Sequence, residues 1–188
     1  MVNTLFGNRT CLYQEAQLVH IVDTMARQAS FLLANKKRIV VVGILRRGAP
    51  LAEMLYIQLM KNFKLPNLSL MNLDIKRYND DLTLLYPETQ LTEHPKDSHL
   101  DLTGTSVLVV DDVFYGGHSM LRAVEYLARK NATEIRTAVL VDRGVSHLPV
   151  RVDITGLRLD IAPSDVIECN VPPYETEFKI VLLKPTIN

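Results

Sequence analysis

Apolar residues recur at Leu18, Val22, Met25, Ala29 and Leu32 in the stretch from Glu15 to about Asn35. Spacings of three and four put them on one face of an amphipathic helix. The next apolar segment has another character. "RIVVVGI" (38–44) is short, continuous and β-branched, which predicts a strand buried on both faces. "LRRGAP" interrupts it, and Pro50 suits the first turn of a helix that runs to about Lys64. "LSLMNLDI" (68–75), "SVLVV" (106–110) and "IRTAVLV" (135–141) read as three more strands. "SMLRAVEYLARKN" (119–131) reads as a helix with Leu121, Val124 and Leu127 or Ala128 on one face. "RVDITG" (151–156) and "EFKIVLLK" (177–184) predict further strands.

Strands that alternate with helices predict an α/β fold with a mainly parallel sheet flanked by helices. Such sheets bind ligands beyond the carboxyl ends of their strands. "LRRG" and "DDVFYGGHS" both fall there. Residues 76–105 break the rhythm: they are polar, carry Pro87 and Pro95, and sustain no period. That stretch predicts a flexible loop or lid, with or without a hairpin of its own.

Composition narrows the picture. A chain of 188 residues, 47% apolar, fits one domain over 1–188 with a sizeable core. Lys and Arg number 21, as do Asp and Glu, so no global basic field points to nucleic acid. Cys11 and Cys169 match no metal spacing and are expected as reduced thiols in a cytoplasmic protein. No apolar run reaches the roughly 18 residues of a membrane span. "MVNTLFGNRT" lacks the pattern of a secretion signal.

The stretch "VLVVDDVFYGGHS" (107–119) carries the chemistry. Gly116 and Gly117 allow a tight turn and close approach of backbone to ligand. The helix that follows offers free N–H groups and a positive dipole end, which suit a phosphate. Ser119 can cap that helix or donate its hydroxyl. Asp111 and Asp112 suit the opposite partner: they accept from vicinal hydroxyls and can help hold Mg²⁺, directly or through water. Diol or metal beside phosphate describes a ribose 5-phosphate. A receiver domain also has an acid pair at a strand end, but near its N-terminus and without a Gly-Gly-x-Ser turn. The Walker pattern G-x-x-x-x-G-K-[ST] is absent from the sequence. Taken separately, the acids could cap a turn and the glycines could bend it. Their order after a buried strand is what points to a site.

This stretch resembles the phosphoribosyl-pyrophosphate (PRPP) signature of type I phosphoribosyltransferases. The wider match is to the pyrimidine-operon regulator and uracil phosphoribosyltransferase family. "VVGILRRGAPLAEML" (41–55) resembles its pyrophosphate loop, and "LDIKRYNDDLT" (73–83) the start of its flexible loop. "AVLVDRGVSHLPVRVDITG" (138–156) resembles its base-side segment. The resemblance implies the type I phosphoribosyltransferase fold, with a flexible loop at about 76–105 and a small hood at about 143–188. It implies a glycosyltransferase that moves the 5-phosphoribosyl group from PRPP to a nucleobase, with Mg²⁺ and release of pyrophosphate. Uracil is the expected base. The alternative is a PRPP- or nucleotide-binding regulator of pyrimidine genes with weak or no turnover.

Carried over by residue, Asp111 and Asp112 would face the ribose hydroxyls, hold Mg²⁺ and serve catalysis. Val113 and Phe114 would continue the PRPP-binding stretch, and Tyr115, Gly116, Gly117, His118 and Ser119 would cradle the 5-phosphate. Arg46, Arg47 and Gly48 would border the pyrophosphate. Arg77 and Tyr78 would belong to the closing loop, and Asp142 and Arg143 to the base side. The family also implies a homodimer or larger homo-oligomer. RNA is a partner of its regulatory members, and the zero net charge argues against it here.

Departures from the family pattern are specific. Gly116-Gly117-His118-Ser119 stands where the family writes Thr-Gly-Arg-Thr, so one hydroxyl and one permanent cation are missing. Tyr78-Asn79-Asp80-Asp81 replaces Tyr-Arg-Asp-Asp, and "GLRLDIAPS" (156–164) replaces Gly-Lys-Asn-Ile-Pro-Thr. Asp142 stands where related purine enzymes place a lysine that donates to a purine oxo group. An acceptor there argues against 6-oxopurines, unless Asp142 simply caps a turn or pairs with Arg143.

Overall fold

A computed structural model of the chain describes residues 6–65, 67–76, 89–92, 99–145 and 148–186. Its elements in chain order are β1 (Gly7–Tyr13), α1 (Glu15–Leu33), β2 (Ile39–Ile44), α2 (Gly48–Gln58), β3 (Leu68–Lys76) and β4 (Gln90–Thr92). They continue with β5 (Ser106–Phe114), α3 (His118–Arg129), β6 (Glu134–Asp142), β7 (Ile154–Arg158), β8 (Val166–Asn170) and β9 (Lys179–Pro185).

Six strands form the main sheet in the order β4-β3-β2-β5-β6-β7. The β2–β3, β2–β5, β5–β6 and β6–β7 pairs are parallel, and β4 closes one edge antiparallel to β3. Side-chain alternation along the strands feeds two cores. Val41, Leu108, Val110, Ala138 and Leu140 pack with α1 and α2, around Leu18, Met25, Leu51 and Leu55. Val42, Ile44, Val107, Val109 and Val139 pack with Met120, Ala123 and Leu127 of α3. The helices thus cover both faces, and the expected mainly parallel α/β architecture is the one observed.

Several expectations need correction. The strand predicted to stop at Val110 runs on to Phe114, because β6 supplies partners that far: Asp111 pairs with Val139 and Phe114 with Asp142. The acid pair is therefore held inside a strand ladder rather than in a loop. The helix predicted to reach Lys64 ends as α-helix at Gln58, continues as a π-turn over Leu59–Phe63, and stops where Lys64 turns left-handed at φ 50°. On α3 the core face is Met120, Ala123 and Leu127, while Leu121 points outward.

A second, antiparallel sheet has the order β1-β9-β8. β1 and β8, short and rich in polar residues, gave no clear period in the sequence. The sheet draws on residues 7–13 as well as the C-terminal strands, so it reaches beyond the expected hood at 143–188. β7 lies inside those bounds but belongs to the main sheet. At the end of the expected flexible loop, Leu102 and Thr105 are buried, and the Leu102 N–H donates to the Lys130 carbonyl at 2.7 Å. The packed body therefore begins before residue 105. Arg77 and Tyr78 lie outside the described residues.

Candidate active site

The carboxyl ends of β2 and β5 meet at Gly48. A Cβ there would lie 2.7 Å from the Val110 carbonyl oxygen and 3.0 Å from both the Cα and Oδ1 of Asp111. The Arg46–Arg47–Gly48 turn is thus laid directly against the acid pair. Gly43 permits the same approach from below, since a Cβ on it would sit 2.5 Å from the Ala49 Cα. The Leu45–Arg46 peptide is cis, and the Leu45 N–H donates to the Leu73 carbonyl at 2.9 Å.

Asp111 and Asp112 are both half-buried, and the Asp112 N–H donates to Asp111 Oδ1 at 3.0 Å. Burial, with the Asp112 charge beside it, pushes the Asp111 carboxyl well above the usual carboxylate range. Burial raises Asp112 too, and the Arg47 guanidinium pulls it back. Two neighbouring carboxylates that resist losing their protons form a site that gains from a cation or from hydroxyl donors. Phe114 is buried in the α3-side core, and Val113 packs against the other core. Their side chains face the interior, which leaves backbone groups to reach a ligand.

Tyr115 and Gly116 lead to Gly117, which stands at the N-cap of α3 with φ 83°. That left-handed conformation suits glycine. His118 and Ser119 form the first helical residues, so their N–H groups open the helix toward the turn. No acidic residue occupies the first turn of α3, and an anion would meet no like charge on that turn. Gly117→Val is expected to abolish binding of ribose 5-phosphate, because a β-branched residue cannot adopt this turn without strain. Isothermal titration with ribose 5-phosphate checks it.

At the end of β6, Asp142 Oδ1 accepts the Gly144 N–H at 2.8 Å, so Asp142 caps a turn. Arg143 is buried at 6% exposure, with its guanidinium 4.3 Å from the centre of the Tyr115 ring. It donates to the Asp165 carbonyl at 3.0 Å. Burial lowers its pKa, opposed by Tyr115 and Asp165. Arg143 therefore joins the end of β6 to the turn before α3 through Tyr115.

Sequence reasoning missed two residues. Glu175 binds Arg47, and the Tyr174 ring lies 4.7 Å from the Arg46 guanidinium. Both sit in a turn between β8 and β9, far along the chain, and no local pattern marks them. Cys169 is buried close by, and its thiol is pushed well up by burial and then by the Asp112 charge, so it stays protonated and unreactive.

Residues 9–176 match the phosphoribosyl transferase domain family. The chain is 35% identical over 169 residues to the bifunctional protein PyrR of Actinobacillus pleuropneumoniae serotype 5b, covering 89% of this chain and 93% of the relative. It is 32% identical over 179 residues to the bifunctional protein PyrR of Pasteurella multocida, covering 93% and 97%. Among solved structures, the hypoxanthine phosphoribosyltransferase of Trypanosoma cruzi superposes with TM-score 0.70 at 16% identity, over 94% of this chain and 97% of that one. A hypoxanthine-guanine phosphoribosyltransferase of Bacillus anthracis gives TM-score 0.68 at 14% identity, over 96% and 98%. At such identities those structures speak for the fold, while the sequence relatives speak for descent. The parallel sheet, the acid pair at its carboxyl edge and the match over most of the chain agree: the chain belongs to the type I phosphoribosyltransferase family, among PyrR-like relatives.

Proposed function

We propose that the protein transfers the 5-phosphoribosyl group of PRPP to a nucleobase nitrogen, with uracil as the base, and releases pyrophosphate. The observation that carries this reading is the contact of Gly48 with Asp111. It brings the arginine turn of β2 and the acid pair of β5 to one place, next to the open N-terminus of α3. A ribose 5-phosphate with a pyrophosphate on C1 needs those three groups in that order.

In this reading Asp111 and Asp112 accept from the ribose hydroxyls. Their charge favours the oxocarbenium-like C1 that develops as the bond to pyrophosphate breaks. Arg46 and Arg47 face the departing pyrophosphate, and the Gly117–Ser119 backbone holds the 5-phosphate. The donor set fits Mg²⁺: two hard carboxylates, whose raised pKa values a cation would bring down. Among the described residues no group of three or more His, Cys, Asp or Glu side chains forms a metal cage. A magnesium ion here would complete its shell from substrate oxygens and water, and would offset charge on the leaving group.

Uracil rests on the resemblance to the uracil phosphoribosyltransferase family. A panel of nucleobases with PRPP and Mg²⁺, followed by pyrophosphate release, tests it: uracil should be the preferred acceptor. Preference for hypoxanthine or guanine would overturn that assignment, and silence with every base would favour the regulatory reading.

One observation favours that second reading, a PRPP- or nucleotide-binding regulator with weak turnover. The phosphate turn lacks the family's hydroxyl and arginine at Gly116 and His118. A Cβ on Gly116 would lie 3.1 Å from the His118 ring, so a side chain there would make that ring yield by a few tenths of an ångström. Gly116→Thr with His118→Arg is expected to tighten PRPP about tenfold, as one charged hydrogen bond returns. Calorimetric titration of PRPP checks it, and unchanged affinity would show that the turn does not hold the phosphate. We further propose a homodimer or larger homo-oligomer in the cytoplasm. Among the described residues, no helix is long and apolar enough to cross a membrane.

A further inference from the structure

The arginine turn and the β8–β9 turn hold each other. Arg47 donates from Nε and Nη2 to Glu175 Oε1, at 3.1 and 2.6 Å. The other carboxylate oxygen, Oε2, accepts the Val171 N–H at 2.9 Å. Glu175 is therefore anchored to its own backbone turn before it grips the arginine. Both side chains are mostly buried, with 25% and 22% exposure, which sets the pair apart from screened surface ion pairs. One residue earlier on each side, Arg46 lies over the Tyr174 ring. The Arg47 charge also acts on Asp112, so the guanidinium that Glu175 holds lies near the acid pair.

We propose that Glu175 is a positioning residue, which fixes the Nε–Nη2 edge of the Arg47 guanidinium and so aims its charge at the leaving pyrophosphate. The proposal rests on the phosphoribosyl-transfer reading and names a residue that the reading did not need. An arginine side chain has many rotamers, and an unheld one must be ordered when the pyrophosphate arrives. A held one presents its charge without that cost, and catalysis gains from groups already aimed at developing charge. Glu175 engages the Nε–Nη2 edge through one oxygen.

The test uses the full chain and two probes. Magnesium pyrophosphate reports on the arginine turn, and ribose 5-phosphate reports on the α3 turn. Both are titrated calorimetrically into the wild type, Glu175→Gln and Glu175→Ala. Glu175→Gln keeps the size and an acceptor for the Val171 N–H, so it decides the matter if the alanine variant does not fold. The expected result is pyrophosphate affinity lower by about tenfold, ribose 5-phosphate affinity unchanged, and a raised KM for PRPP. Arg47→Lys added to Glu175→Gln should cost less than it does alone, since the two act through one contact. Unchanged pyrophosphate affinity in Glu175→Gln, with both probes bound by the wild type, would overturn the positioning role alone. Tighter pyrophosphate binding would mean that Glu175 competes for the arginine, and equal loss of both probes would mean general distortion; either result overturns it. A wild type that binds neither probe would overturn the phosphoribosyl-transfer reading and the positioning role with it.

Discussion

Gly48→Ala is expected to lower PRPP turnover by about a hundredfold or more. The added methyl carbon has no room. It would lie 2.7 Å from the Val110 carbonyl oxygen and 3.0 Å from the Asp111 Cα. Both are backbone atoms of a strand paired on two sides, with β2 and with β6, so β5 cannot yield cheaply. The arginine turn must move instead. A shift of about 1 Å carries Arg46 and Arg47 off the leaving group, and misplacement on that scale costs about a hundredfold in rate. The overpacking itself costs about 1–3 kcal/mol of stability. Pyrophosphate-release kinetics and a thermal melt separate the two effects. Turnover near wild type would show that the turn does not need its contact with Asp111.

Asp111→Asn should split stability from activity. Burial and the neighbouring charge raise the folded-state pKa of Asp111 well above the usual range. A group of that kind holds its proton more tightly when folded, so the wild type loses stability as pH rises from the unfolded value, about 3.9, through the raised folded value. Asparagine keeps the shape and cannot ionise. The ligand-free variant should therefore melt above the wild type at pH 7–8, and the gap should close as pH falls toward 4. The same variant should lose turnover by about a hundredfold, because the carboxylate that the proposed transfer sets against the ribose is gone. Melting temperature across pH, beside PRPP kinetics, reads both. A variant less stable than the wild type at neutral pH would show that the carboxylate makes stabilising contacts that outweigh its burial. The conflict is typical of an active site, where strain in the free protein is relieved by the ligand.

Much of this molecule could be read from neighbouring residues. β2, β5 and β6 are buried on both faces, and their continuous apolar runs say so. α1 carries a clean stripe. The Asp-Asp pair and the Gly-Gly turn lie six or fewer positions apart on one strand–turn–helix unit, so their nearness follows from chain geometry alone. The second sheet was harder. β1 and β9 pair residues from opposite ends of the chain, Gly7 with Pro185 and Thr10 with Leu182. Half-exposed edge strands carry a weak period, and their register is set by the partner rather than by their own pattern.

The boundary of β5 shows the same limit on a small scale. Two adjacent carboxylates look like the end of a strand, because charge is costly in a sheet interior. Here β6 runs long enough to pair with Asp111 through Phe114, and ladder bonds outweigh that preference. Asp142 read equally well as a base contact or a turn cap, and the folded chain adds the capping contact, the Gly144 N–H at 2.8 Å from its Oδ1. The chain order alone carried the fold class, the buried face of α1 and the glycine turn before α3, since each depends on residues within a few positions of one another. Folding decided the rest: Gly48 against Asp111, Arg143 against Tyr115, and Arg47 in the grip of Glu175, 128 residues away. Contacts of that span leave no periodic trace, because the two partners share no helix, strand or turn, and what pairs them is the packing of the sheets that carry them.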